Sequence, residues 1–214
     1  CEKPLSVNAG ETEALMAMHR VTGGYLMEAM WTWFLPALAT AKAWVEAGRI
    51  GGIIQIKADF GYPQVYDPAN YAYDPKLGGG CLLDMGVYAV ALVRYFIKAM
   101  PVSVQVVARR TPSGVDDDIA AVLDYGDVTA TIGASFRAKL RNWAYIIGTE
   151  GYIAIPDVWR ADTALLYHLD TCIDRFSEDR RHQGFAHEAR AVCDDVAHGR
   201  RQSVVMPLSD SLAI

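Results

Sequence analysis

In the stretch GGGCLLDMGVY, residues 78 to 88, an aspartate and a tyrosine stand four apart with only Met, Gly and Val between them. On a helix that spacing puts Asp84 and Tyr88 on one face of the first two turns. The three glycines ahead of them let another backbone or a ligand approach the helix start, where free N–H groups and the dipole favour polar or anionic atoms. Two chemistries fit. Asp84 can be a dipole-matched acid and Tyr88 a core aromatic, or the pair can be a proton-transfer site with Tyr88 as donor or acceptor. A phenol ionises near about 10 when unperturbed, so the second reading needs a cation beside it to work near neutral pH.

Other polar groupings carry less. His182 and His187 lie five apart around a glycine, which is not the i, i+4 spacing of a helical zinc site, and no cysteine pair joins them. Asp116, Asp117 and Asp118 form an acidic run with no regular series of further oxygen ligands, and it reads as a solvated loop. Cys81 has no histidine near it in sequence and suits a buried thiol. No metal is expected.

The Asp84–Tyr88 pair falls in the longest helical candidate, residues 81–100, which is apolar on almost every side, ends at Pro101 and must be buried. ETEALMAMHR, residues 11–20, has acids first and a basic pair last, matching the dipole of a short helix closed by Gly23 and Gly24. YLMEAMW, residues 25–31, reads as a buried strand. Pro36 opens a second helix with Leu38, Ala41, Trp44 and Val45 on one side and Gly48 as its stop. Phe185, Ala189, Val192, Cys193 and Val196 predict a last helix, ending at Gly199.

Between the helices the period is two. Ile54, Ile56, Ala58 and Phe60 alternate with Gln55, Lys57 and Asp59; the pattern returns over 102–109 and 128–136, each with one dry and one wet face. YGD at 125–127 makes a hairpin of 119–125 with 128–136, and further strands are expected at 143–148, 152–156 and 163–169. Such strands on short turns predict an α+β fold whose open, mainly antiparallel sheet has helices on one face. Before residue 50 helix, strand and helix follow closely, as at the close of a Rossmann (α/β) domain. The expected division is 1–50, a remnant of that domain with its connecting helix, and 51–214, a substrate-binding and oligomerisation domain.

The 214 residues are 52% hydrophobic and 21% charged with a net charge of -5, a balance that disfavours nucleic acid or an anionic membrane as partner. The most apolar window, Gly24 to Ala41, is interrupted by Glu28 and Pro36, so no membrane span is read. Four scattered cysteines without a C-x-x-C pair, and no N-x-S/T site, favour a reducing, cytoplasmic setting. The chain opens on Cys1 instead of methionine, which suggests a processed or truncated product.

Several landmarks occur in a recognisable order: CEKPLSVN at 1–8, YLMEAMW at 25–31, AGRIGGI at 47–53, LGGGCLLDMGVY at 77–88 and GFAHEARAV at 184–192. In these the chain resembles the glucose-fructose oxidoreductase, inositol dehydrogenase and rhizopine-catabolism (Gfo/Idh/MocA) oxidoreductases. With tyrosine at 88 it is most similar to the branch of glucose-fructose oxidoreductase, dihydrodiol dehydrogenase and NADP-dependent xylose dehydrogenase. The resemblance implies an NAD(P)-dependent dehydrogenase, with NADP the expected form, acting on a sugar, polyol or dihydrodiol hydroxyl. It places Glu2, Lys3, Pro4 and Trp31 beside the nicotinamide and supplies Lys3 as the missing cation. Lys3 would stabilise the Tyr88 phenolate while Tyr88 exchanges a proton with substrate, and Asp84 would orient substrate or lysine. It also implies a homodimer through the open sheet face.

Some residues depart from that pattern. Relatives carry a βαβ half with G-x-G-x-x-G before the E-K-P motif, whereas here Gly78 and Gly80 are followed by Leu83 where the third glycine belongs. By itself the chain is expected to lack most of the cofactor site and to be inactive, so a non-catalytic substrate-binding or dimerisation module is the alternative. Trp33 stands where close relatives often have arginine, and Tyr71 stands near another common arginine in the loop before the glycines, which lowers the positive charge expected beside the substrate and disfavours an acidic or phosphorylated one.

Overall fold

The computed structural model describes residues 1–180 and 184–214. Helix α1 (Ala9–Thr22) begins earlier than its acidic turn suggests, because the Asn8 side chain caps it by accepting from the Glu11 N–H at 3.0 Å. The segment expected as a strand, 25–31, forms none: among the described residues it makes two isolated parallel bridges, Leu26 with Gln202 and Glu2 with Ala29. It ends in a 3-10 turn, Trp31–Phe34, and α2 (Pro36–Glu46) follows from Pro36.

Among the described residues eight strands form one sheet: β1 (Ile53–Gly61), β2 (Ser103–Arg110), β3 (Asp116–Asp124), β4 (Thr129–Ser135), β5 (Ala144–Gly148), β6 (Tyr152–Ile155), β7 (Thr163–His168) and β8 (Thr171–Ser177). Their order is β2-β3-β4-β1-β5-β6-β7-β8. Every pair is antiparallel except β1 with β4, which run parallel in the register Ile56 to Ala130. The long segment between them, which holds the site helix, is what permits that direction.

The expected alternation decides which face is covered. Ile56, Ala130, Ile132, Ile146, Ile153 and Leu166 are all buried under the helices. Each of these isoleucines, and Leu166, contributes about 1.5–3 kcal/mol relative to exposure. Strand β2 departs from this: as the sheet's edge it is exposed on both faces, including Val104 and Val106. The acidic run is not a solvated loop. It starts β3, and Asp116 accepts from the Leu82 N–H at 2.7 Å and from the Cys81 thiol at 3.1 Å.

The apolar segment Pro75–Phe96 is long and apolar enough by composition to cross a membrane. It folds instead as a 3-10 turn (Pro75–Leu77), a π turn (Leu82–Gly86) and α3 (Val87–Phe96). At ten residues, α3 is about 15 Å long, half the hydrocarbon thickness. It stops before Pro101, where Ile97 turns extended at φ -116°. The glycines serve neighbouring backbone: a Cβ on Gly79 would lie 2.8 Å from the Ala72 and Asp74 carbonyl oxygens, and one on Gly80 2.6 Å from an Asp116 oxygen. Helix α4 (Phe185–Ala197) and a short α5 (Leu208–Ala213) complete the chain; β8 and α5 are not anticipated by the sequence reading.

Candidate active site

The N-terminal segment, the Trp31 turn and the start of α3 converge. Lys3 Nζ lies 3.2 Å from Asp84 Oδ1 and also donates to the Asp84 main-chain carbonyl. Its ammonium sits over the Tyr88 ring, 4.9 Å from the centroid. Trp31 Nε1 donates to the Tyr88 hydroxyl at 3.1 Å. Lys3 and Asp84 are largely but not fully covered, with 14% and 24% of their side chains exposed. The π turn that carries Asp84 is a distortion often found where a helix serves a site.

The phenol differs from the expectation in one respect. The Tyr88 pKa is pushed up to about 12, first by burial and then by the charges of Asp84, Glu2 and Glu188, against a lowering by the Trp31 hydrogen bond. Asp84 takes the hydrogen bonds of the Lys3 ammonium, which faces the ring. The group is therefore held as a neutral phenol, suited to donate a proton, and the stabilised phenolate expected from Lys3 is not what the arrangement favours.

Aromatic side chains wall this centre. Phe60, at the end of β1, meets Tyr88 edge-on at 5.5 Å and stacks on Trp159 at 5.3 Å. Phe185, the first residue of α4, lies 4.5 Å from Trp31, and Tyr62 meets Trp159 edge-on at 6.4 Å. Phe60, Trp159, Phe185 and Glu188 are absent from the sequence-level site. GFAHEARAV was the available signal for two of them, but its spacing speaks only of a helix.

Tyr71 lies on this side of the molecule: it is 61% exposed, and its pKa is raised chiefly by the Asp84 charge. Trp33 does not. It is 1% exposed, donates to the Ala91 carbonyl at 3.1 Å, packs on Tyr95 and is capped by the Lys98 ammonium, so it offers no surface to a substrate. Glu2 is exposed near Tyr88, while Trp31 is 3% exposed and acts through its N–H and ring contacts. Cys81 is buried, and burial followed by Asp116 pushes its thiol up, so it is unreactive. His182 lies outside the described residues; His187 pairs with Glu178 at 3.2 Å. Among the described residues no three metal-ligating side chains converge.

The GFO/IDH/MocA C-terminal domain profile matches residues 38–154, more than half of the chain. The trans-1,2-dihydrobenzene-1,2-diol dehydrogenase of Homo sapiens is 32% identical over 219 residues, covering 99% of this chain and 65% of its own length. The chain thus spans about two thirds of the curated relatives it matches. A 3-ketoreductase from Actinomadura kijaniata, solved with NADP and TDP-benzene, is 25% identical with a TM-score of 0.82, covering 99% of this chain and 66% of that one. An aldose-aldose oxidoreductase from Caulobacter crescentus, complexed with glycerol, shares the fold at a TM-score of 0.88 and 22% identity, over 100% of this chain and 65% of that one. On the profile match and the fold together, the chain belongs to the Gfo/Idh/MocA oxidoreductase family.

Proposed function

We propose that this chain is the C-terminal part of an NAD(P)-dependent oxidoreductase that moves hydride between nicotinamide and a sugar, polyol or dihydrodiol hydroxyl. The observation that carries the reading is the meeting of Lys3, Asp84 and Tyr88, 81 residues apart between Lys3 and Asp84, beneath a wall of aromatic rings. The curated dehydrogenase relatives support the diol, and the ketoreductase solved with NADP supports a nicotinamide cofactor, for which NADP is the form proposed.

The chain's own residues fit one end of the cofactor only. Glu2 and the Lys3–Pro4 peptide are accessible beside Tyr88 and would hold the nicotinamide end. Gly79 and Gly80 are filled by the 72–74 backbone and Asp116, so they form no pyrophosphate cradle. The nicotinamide, when bound, supplies or accepts the hydride. Tyr88, as a neutral phenol, gives its proton to a substrate carbonyl oxygen during reduction and recovers it during oxidation. Lys3, oriented by Asp84, adds positive potential where the oxygen develops charge. Trp159 and Phe185 provide apolar faces for a sugar or diol ring, with Phe60 and Trp31 packed behind them to exclude water, and Tyr71 stands at the mouth.

On this proposal residues 1–50 close a nucleotide-binding domain, supported by the parallel Glu2–Ala29 bridge, and 51–214 bind substrate and associate. A homodimer forms through the open sheet face, and the free thiols of Cys1, Cys81, Cys172 and Cys193 suit a cytoplasmic setting. The test is a titration of the complete gene product with NADPH, followed by a screen of pentoses, hexoses, inositols and diols. Saturable binding and turnover with one of these classes is expected, with no saturable binding by residues 1–214 alone. A complete protein that neither binds nucleotide nor turns over would leave the binding-module alternative.

A further inference from the structure

Helix α4 brings a second carboxyl toward the centre. Phe185 fixes the start of α4 against Trp31 at 4.5 Å, and Glu188 follows three residues later, so both side chains lie on the same side of the helix. Glu188 is partly buried, and its Oε2 is fully covered and has no hydrogen-bond partner among the described residues. Its charge acts on Tyr88, and it shares its surroundings with Glu2, whose charge also acts on Tyr88. An orphaned, covered carboxylate oxygen is costly when ionised, so something in the site has to accommodate it.

We propose that Glu188 is a positioning carboxyl of this site, which sets the proton affinity of Tyr88 by exchanging its own proton with solvent. The charges that act on it from other elements are Glu2 and the Cys1 amino group of the N-terminal segment, and its own charge acts on Tyr88 of α3. Its pKa is pushed up to about 7, first by burial and then by Glu2, with the Cys1 amino group acting in the opposite sense. Below that value Glu188 is neutral and Tyr88 feels one charge fewer; above it the added negative charge holds the phenol's proton more tightly. Where Cys1 is joined to a preceding residue its nitrogen is an uncharged amide, and the group moves further up.

Only the catalytic consequence rests on the proposed redox role of Tyr88; the coupling itself is read without nicotinamide or substrate. The 214-residue chain is labelled with ¹³C-tyrosine, and the Tyr88 signal, assigned by its loss in Tyr88→Phe, is followed from about pH 5 to about pH 9, well below the phenol's own ionisation. A step with its midpoint near neutrality is expected. It should vanish in Glu188→Gln and move to lower pH in Glu2→Gln, where the like charge is gone. A Tyr88 signal that stays flat overturns the proposal, as does a step that survives Glu188→Gln or stays in place in Glu2→Gln. Glu188→Gln keeps the side chain's size, and unchanged signals from the other tyrosines report that the variant is folded. Should the complete protein prove to have no redox activity, that failure would leave this titration as it stands.

Discussion

The site turns on a phenol with no usable charge of its own. Desolvation holds Tyr88 neutral, with its pKa pushed up to about 12 from the ordinary 10.0. On the proposed oxidoreductase function, Tyr88→Phe keeps the ring against Phe60 but removes the proton, and kcat is expected to fall about 10²-fold or more while KM changes little. An unchanged kcat would remove Tyr88 from the chemistry. The same shift makes a stability statement. Below pH 10 the phenol is neutral in both folded and unfolded states, and its contribution is fully present. As pH rises from about 10 to about 12 the unfolded chain ionises first, and about 3 kcal/mol is lost. Urea midpoints of the wild type should therefore drop through that window more steeply than those of Tyr88→Phe. At neutral pH the variant should be weaker by about 1–3 kcal/mol, because the buried Trp31 N–H loses its acceptor. Equal alkaline slopes would show that the phenol is not buried as described. At this scale the sequence is half legible. The i, i+4 spacing marks Asp84 and Tyr88, but Lys3 enters only through resemblance, since no local pattern links it to a residue 81 positions away. Glu188 is invisible because a lone acid on a helix reads as solvated surface.

At the scale of elements, the start of the site helix is held by a strand distant in sequence. Asp116 accepts the Leu82 N–H and the Cys81 thiol, and Gly80 leaves room for its carboxylate. Asp116→Ala should cost about 1–2 kcal/mol, as loss of a helix cap does, and should weaken the Lys3–Asp84 pair by loosening the π turn. The check is a thermal or urea unfolding curve together with the Tyr88 ring signal. Wild-type stability in Asp116→Ala would mean that the carboxylate is not needed there. The sequence hides this cap. Three adjacent acids look like a solvated loop when their partner lies 34 residues away. The strands themselves are legible, because alternation and short turns mark β1 and β3 to β7 and their covered face. Alternation encodes neither partner nor position in the sheet, so the parallel β1–β4 pairing and the two-sided exposure of β2 emerge only in three dimensions.

Among the described residues, the helices cover one face of the sheet. On the other, the register sets Gln105, Val122, Thr131, Lys57 and Tyr145 side by side across five strands, followed by Tyr152 and Tyr167, which stack at 4.8 Å with 3° between their planes. A shallow hollow of about 440 Å³ opens there, lined by residues that include Lys57, Asp118, Thr131, Trp143 and Tyr145. Eight strands at about 4.8 Å spacing and about 20 Å in length give a face of about 700 Å², close to the roughly 800 Å² that each partner contributes to a stable interface. Mixed hydroxyl, charged and aromatic groups suit a wet, two-fold contact in which one patch meets its own copy. Sedimentation is therefore expected to give twice the 23.5 kDa chain mass. Tyr145→Glu, which places a carboxylate at the centre of the patch and meets its symmetry mate, should shift the protein to monomer and leave the Lys3–Asp84–Tyr88 centre on the opposite, helical side unchanged. A wild-type chain that sediments as a monomer at high concentration, or a Tyr145→Glu variant that stays dimeric, would rule this face out as the contact.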